Sequence, residues 1–102
     1  MPGFDIGRIN EIIHGRLRLG VMAYLANEEV ASFTQLKDTL KATQGNLSIQ
    51  LRKLEEAGYI KIDKRFKDRK PLTTIRLTQT GRNAFAAYLQ ALSGVIGTTP
   101  QR

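Results

Sequence analysis

The chain has 102 residues, an apolar fraction of 41% and a formal net charge of +7. This length suits one small domain, and the apolar fraction excludes a disordered chain. There is no run of roughly 18 apolar residues that would span a membrane, no basic-then-apolar leader pattern and no cysteine for disulfides or thiolate metal sites. We therefore expect a cytoplasmic protein. The charge indicates a polyanionic partner, and a basic protein kept soluble by its charge is the alternative.

Two helices are predicted before residue 28. Residues 4–14 have the amphipathic spacing of a short helix that begins near Asp5, and Gly15 permits a break after it. Residues 15–27 predict a full helix with two apolar stripes on opposite sides, Leu17, Val21 and Tyr24 on one and Leu19, Met22 and Ala26 on the other. A helix that is apolar on two faces is buried on two faces. We expect one face to meet the domain core and the other to meet a second copy of the chain.

The middle of the chain predicts two helices joined by a short link. Ser32 begins a capping box that opens a helix over residues 33–40. The next helix, over 43–58, has a cap at Thr43 and a glycine stop at Gly58. One narrow stripe of this helix must face the core, formed by Leu47, Leu51 and Leu54. Because the link is short, the two helices must cross closely, as in a helix-turn-helix; a generic αα-hairpin is the alternative.

After Gly58 the period of the apolar pattern changes from 3.6 to 2. Residues 59–64 and 73–78 predict two strands, and the segment 65–72 between them predicts a loop, with Pro71 fixing where the second strand can start. From residue 61 to residue 76 there are seven basic and two acidic residues, so +5 of the excess charge lies in this hairpin. This concentration favours a polyanionic partner over simple solubility.

The last predicted helix begins after Thr78 and covers residues 79–96. Its apolar residues share one face: Phe85, Tyr88, Leu89, Leu92 and Ile96. The order of elements is that of a winged helix-turn-helix, an α+β and mainly α fold with a two-stranded basic wing and N- and C-terminal dimerisation helices. We thus expect one domain over 1–102, with a core over about 12–78, a dimerisation helix over about 79–96 and a mobile tail over 97–102.

The exposed side of the helix over 43–58 carries groups that read base edges and phosphates. We expect base contacts from Gln44, Asn46, Ile49, Gln50 and Arg52, and contacts with the DNA backbone from Ser48, Lys53, Lys64, Arg65, Lys67, Arg69 and Lys70. Two of these residues have open structural alternatives: Ile49 can pack on a neighbouring helix, and Arg52 can pair with Glu56 one turn on. For the wing, the alternative is a solvated hairpin whose lysines resist edge-to-edge pairing.

A symmetric dimer would place two recognition helices about 34–36 Å apart, in successive major grooves. The expected interface comprises Ile9, Ile13, Leu19, Met22, Phe85, Tyr88, Leu89, Leu92 and Ile96. The single histidine, His14, has no neighbouring carboxylate pair or nucleophile, so the sequence predicts neither an enzyme nor a metal or cofactor site. A small-molecule effector is not indicated; if one binds, the expected groove lies near Tyr24 and Tyr88.

The segments GNLSIQLRKLEEAGYIKI and RKPLTTIRLTQTGRNAF resemble winged-helix transcriptional regulators related to the MarR and ArsR groups. The small stand-alone archaeal and bacterial type, with the pattern GNLSxHLxxLExxGYV, is the most similar. The resemblance covers roughly residues 12–92 and implies DNA-binding homodimers that pair through their terminal helices. Gln50 stands where many relatives carry histidine. The predicted partners are therefore double-stranded DNA and a second copy of the chain, and no membrane interaction is expected.

Two other functions remain open. Winged helices also serve as protein–protein interaction modules, because fold alone does not determine function. A nonspecific nucleic-acid binder would also use the basic hairpin. RNA binding is disfavoured because readers of single-stranded RNA present stacking aromatics, and Phe66 in the wing is the one nearby candidate.

Overall fold

The computed structural model describes residues 6–96. In this range the elements are α1 (Arg16–Glu28), β1 (Val30–Ser32), α2 (Phe33–Leu40), α3 (Gln44–Glu56), β2 (Ile60–Lys67), β3 (Lys70–Leu77) and α4 (Gln79–Ile96). The strands form an antiparallel sheet in the order β1-β3-β2. This is the predicted winged-helix order, so the fold class is confirmed. The predicted mobile tail and the helix start near Asp5 lie outside the described residues.

One core joins the helices to the sheet. Its largest fully buried side chains are Tyr88, Ile13, Met22, Leu25, Leu36, Leu47, Leu54, Ile75 and Val21. Burying a side chain of this size is worth about 1.5–3 kcal/mol relative to leaving it in water. The predicted apolar stripe of α3 lies in this core, since Leu51 is buried beside Leu47 and Leu54. Between residues 6 and 96, no helix is long and apolar enough to cross a membrane.

The ends of α2 and α3 are fixed by the caps that the sequence predicts. The backbone N–H of Gln35 donates to Ser32 Oγ at 3.0 Å, and the N–H of Ser32 donates to Gln35 Oε1 at 2.8 Å, which completes a capping box. The N–H of Asn46 donates to Thr43 Oγ1 at 3.2 Å. Gly58 has a φ of 81°, which a residue without a Cβ adopts without strain. These local bonds set the directions in which α3 begins and ends.

A strand that the sequence analysis missed pairs with the wing. Val30, Ala31 and Ser32 form β1 and lie opposite Arg76, Ile75 and Thr74 of β3. This strand joins the end of α1 to the base of the hairpin, so the wing is part of a three-stranded sheet.

The predicted N-terminal helix is wrong over the described part of residues 4–14. A single 3-10 turn covers Ile6–Arg8, and an isolated turn follows, closed by the N–H of His14 donating to the carbonyl of Asn10 at 2.8 Å. The reason is Asn10, whose Oδ1 accepts from the backbone N–H of Ile12 at 2.8 Å and of Ile13 at 3.1 Å. These donors are therefore unavailable to a continuous helix.

The predicted loop over 65–72 is also wrong, because β2 and β3 extend almost to the tip of the hairpin. Asp68 and Arg69 alone form the turn, with φ values of 52° and 66°. Positive φ at both central residues is the geometry of the two-residue turn that matches strand twist. Pro71 lies within β3, opposite Phe66. Its position is compatible with a strand because it is the second pair from the turn, where the nitrogen points away from β2, and β1 ends its pairing at Thr74.

Candidate nucleic-acid interface

The solvent side of α3 presents six of the seven α3 side chains that the sequence analysis assigned to DNA. The exposed members of that set are Gln44, Asn46, Ser48, Ile49, Arg52 and Lys53. Ile49 is 56% exposed, which excludes its alternative role in packing on a neighbouring helix. Among residues 6–96 the ion pairs are Lys37–Asp38 and Arg65–Asp63, so Arg52 does not pair with Glu56. The face is therefore free to meet a ligand.

Gln50 differs from these residues because it is half-buried and its side chain is hydrogen-bonded to other residues of the protein. Its Oε1 accepts a hydrogen bond from Nη1 of Arg18 on α1, and its Nε2 donates to Asn46 Oδ1 at 3.1 Å. Arg18 in turn donates from Nε to the carbonyl of Ile12 at 2.5 Å. Arg18 was not among the predicted site residues. Its partner on α3 is 32 residues away, and no local sequence pattern indicates that contact.

A groove of about 830 Å³ lies between α2, α3 and the wing. Four predicted DNA-contact residues line it: Gln44, Ser48, Arg52 and Lys64. Lys37 of α2 also lines the groove, and the sequence analysis missed it, since its position depends on how α2 crosses α3. Lys37 also forms an ion pair with Asp38 at 3.9 Å. Because both side chains are exposed to solvent, this pair is weak and leaves most of the positive charge of Lys37 available in the groove. Three cations therefore stand beside one carboxylate, that of Glu55.

The alternation of side chains along the wing divides its cations between two faces. Lys64 lies on the face that lines the groove, together with Pro71 and Thr73. Arg65 lies on the opposite face, with Lys61 and Arg76 across the strands. Lys67 and Lys70 share that outer face, because Lys67 follows Arg65 by two residues and Lys70 precedes Leu72, the partner of Arg65, by two residues; Arg69 is in the turn. Once the strand lengths are known, the alternation of side chains along each strand is enough to predict which face each cation occupies.

Charge on the outer face is partly offset. Asp63 Oδ2 accepts from Arg65 Nη2 at 3.1 Å, and both side chains are exposed. Near the tip, Phe66 is 75% exposed on the same face as Lys64. The wing therefore presents an aromatic ring and one cation toward the groove, and a larger set of cations away from it.

The structure places four of the nine predicted interface residues in the core of the single chain: Ile9, Ile13, Met22 and Tyr88, each at most 8% exposed. For α1, Met22 packs in the core of the single chain, whereas Ala26 on the same predicted face is exposed; the turn at Asn10 directs Ile9 and Ile13 inward. Leu89 and Ile96 of α4 remain 48% and 59% exposed, beside half-buried Phe85 and Leu92. Leu19 is half-buried as well.

The two tyrosines proposed to border a ligand groove are in different surroundings. Tyr24 is half-buried, whereas Tyr88 is 1% exposed. The hydroxyl of Tyr88 lies 2.9 Å from His14 Nδ1, and its ring stacks on Phe85 with centroids 6.3 Å apart. This contact attaches the N-terminal segment to α4.

An exposed polar helix beside a basic hairpin defines a winged helix of the DNA-binding type. A family model described as "Winged helix DNA-binding domain" matches residues 17–96, and the chain belongs to this family. It is 35% identical to the uncharacterized protein MJ0432 of Methanocaldococcus jannaschii over 79 residues, which are 78% of this chain and 86% of that protein. The family model describes a DNA-binding domain, and the matching solved structures are transcriptional regulators, not enzymes.

Solved structures agree with this assignment. The transcriptional regulator homologue from Pyrococcus horikoshii OT3 superimposes with a TM-score of 0.81 at 33% identity, covering 90% of this chain and 91% of that one. The reduced form of AbfR bound to DNA has the same fold, with a TM-score of 0.63 at 23% identity, over 82% of this chain and 58% of that one. Regulators of the MarR and ArsR families also share the fold, at TM-scores of 0.63 and 0.58. These two structures are 19% and 16% identical to the chain and show the shared fold, while the family match and the Pyrococcus structure confirm the predicted resemblance to winged-helix regulators.

Proposed function

We propose that this protein is a sequence-specific, double-stranded DNA-binding transcriptional regulator that acts as a homodimer. The observation that carries the proposal is the groove between α2, α3 and the wing, in which Gln44, Ser48 and Arg52 stand beside Lys64. The groove combines groups that read base edges with cations that bind phosphates. Such a regulator acts where the DNA is, in the cytoplasm.

The recognition helix α3 would enter the major groove. Gln44 and Asn46 have the donor and acceptor pair that matches adenine, and Arg52 matches guanine or a phosphate. Ile49 is exposed enough to contact a thymine methyl group. Ser48 and Lys53 would bind the backbone on either side, together with the cations of the wing: Lys64, Arg65, Lys67, Arg69 and Lys70. Contacts of this second kind raise affinity and salt dependence without reading sequence.

The second copy of the chain would pack on α4. Leu89 and Ile96 form its exposed apolar surface, with Phe85 and Leu92 at the margin. Burying such a surface in a symmetric interface removes apolar area from water, which favours association. The two recognition helices of the dimer would then read half-sites about 34–36 Å apart.

Selection from a randomised duplex library, followed by fluorescence anisotropy on the selected duplex and on a shuffled one at two salt concentrations, tests this function. We expect a near-palindromic site with half-sites about one helical turn apart. Asn46→Ala should lose preference for that site. Asn27→Ala is the matched control, because Asn27 is exposed at the far end of α1 and its amide bonds only the carbonyl of Ala23.

The other outcomes identify the alternatives. Equal, strongly salt-sensitive binding to selected and shuffled duplexes would indicate a nonspecific binder. Absence of binding to either duplex at low salt, together with a stable complex with another protein, would indicate a protein–protein interaction module.

A further inference from the structure

We propose that Arg18 is a positioning residue for base recognition, which fixes the orientation of the Asn46 amide through Gln50. The inference rests on the proposed function, because it assigns a role in sequence reading to a residue on α1. Arg18 itself lies behind the recognition helix and reaches its exposed face through one intermediate side chain.

The guanidinium of Arg18 is anchored on the turn that precedes α1. Nε donates to the carbonyl of Ile12 at 2.5 Å, and Nη2 lies 3.5 Å from the carbonyl of Glu11. Gly15 provides the space for this arrangement, since a Cβ at that position would lie 2.8 Å from Nη2. Two nitrogens of the planar group are thus held by the turn, and Nη1 is aimed at Gln50.

A guanidinium has donors and no acceptor, so it can bind only the oxygen of a neighbouring amide. Gln50 must therefore direct Oε1 toward Arg18, and its NH₂ group then faces Asn46. For the same reason, Asn46 must direct Oδ1 toward Gln50, at 3.1 Å. One charged donor thereby selects one of the two possible orientations of each amide.

The orientation of the Asn46 amide matters for reading a base, because its oxygen accepts hydrogen bonds and its NH₂ group donates them. Pairing with adenine needs the oxygen of Asn46 at the N6 amino group and its nitrogen at N7. With Oδ1 fixed on the side of Gln50, Nδ2 is directed away from it, and a second lone pair of Oδ1 remains available. An amide free to rotate through both orientations would discriminate less well between adenine and a base with the opposite pattern.

Four variants separate positioning from charge and from folding. Arg18→Gln removes the donor, and Arg18→Lys keeps the charge but cannot reproduce the planar fork. Gly15→Ala retains Arg18 and displaces its guanidinium with a Cβ. Arg16→Gln is the control, because Arg16 is exposed on the same helix and its loss removes the same charge. Circular dichroism would verify that each variant is folded.

The first measurement needs no DNA. In nitrogen-15 NMR spectra, the side-chain amide protons of Gln50, which donate to Asn46, should exchange slowly with water in the wild type and in Arg16→Gln. They should shift and exchange faster in Arg18→Gln and in Gly15→Ala. Unchanged amide signals in both of these variants would overturn the inference whatever the DNA measurements show.

The second measurement uses the duplex selected by the wild type and the same duplex with a substitution at the base pair that Asn46 reads. Arg18→Gln should reduce discrimination between the two about tenfold, within the range of one bidentate base contact. Arg16→Gln should retain discrimination and lose only salt-dependent affinity. Equal discrimination by both variants would make Arg18 merely structural. If the wild type itself selects no sequence, the proposed function fails. If the wild type selects a sequence and Arg18→Gln reads it equally well, only the role of Arg18 fails.

Discussion

Replacing Gly81 by alanine should destabilise the protein, although alanine is the better helix former. A Cβ at this position would lie 2.0 Å from the carbonyl oxygen of Tyr59, where contacts below 3.0 Å essentially never occur. The backbone of α4 or of Tyr59 must therefore move by about 1 Å to bring this contact to 3.0 Å, and such backbone shifts are part of the cost of overpacking. That movement also strains the junction of the sheet and α4, where the N–H of Thr78 donates to the same carbonyl at 3.0 Å.

Gly45 gives the matched control. It also lies in the first turn of a helix, and a Cβ there would meet nothing within 4 Å. The helix propensity of alanine should stabilise Gly45→Ala by up to about 1 kcal/mol. At Gly81 the same gain is opposed by about 1–3 kcal/mol of overpacking and about 1 kcal/mol for a weakened hydrogen bond. The two variants should therefore differ by about 2–4 kcal/mol, or roughly 8–32 °C in Tm at 4–8 °C per kcal/mol.

Thermal unfolding followed by circular dichroism measures this difference. All samples need the same protomer concentration, because self-association makes Tm depend on concentration. The reasoning would be refuted if Gly81→Ala and Gly45→Ala unfolded within about 2 °C of each other, since a difference of at least about 8 °C is expected.

Three further predictions concern other elements. Ser32→Ala removes the capping box of α2 and should cost about 1 kcal/mol, seen as a lower Tm. Arg69→Gly relieves the positive φ in the wing turn, so it should raise stability by about 0.5–1 kcal/mol while reducing the salt slope of DNA binding by up to about 0.9. Leu89→Glu combined with Ile96→Glu should yield monomers in light scattering, whereas Gln90→Glu, an exposed neighbour on α4, should leave the association state unchanged.

The elements that the sequence predicted correctly are those determined by short-range interactions. The capping box at Ser32, the cap at Thr43 and the stop at Gly58 each involve residues no more than a few positions apart. The helix boundaries around the recognition helix were therefore predictable to within about two residues.

The elements that failed depend on partners distant in sequence or on weak signals. Strand β1 is three residues long and exists because β3 lies beside it. The outer wing has solvent around most of its side chains, so its strands lack the alternation of a half-buried strand. The helix predicted for the N-terminal segment does not form, because the side chain of Asn10 accepts from two backbone N–H groups that a continuous helix would use.

The candidate site shows the same limit at the level of single atoms. The sequence analysis assigned both Asn46 and Gln50 to base contacts. The structure distinguishes them: Asn46 is exposed, whereas Gln50 is half-buried between Asn46 and Arg18. Which amide meets the solvent depends on how α1 crosses α3, and helical periodicity contains no information about that crossing.

The division of charge in the wing constrains how DNA could meet it. A duplex whose major groove holds α3 would contact Lys64 on the inner face of the wing. It would not contact Arg65, Lys67 or Lys70, which are on the opposite face. Those three cations would contact phosphates only if a DNA backbone also runs along the outer face of the wing. Insertion of the wing tip into the minor groove meets this requirement, because the groove is about 6 Å wide and each of its walls is a phosphate backbone. Arg69, in the turn, would then be directed toward the floor of the groove, where sequence enters through groove shape and width.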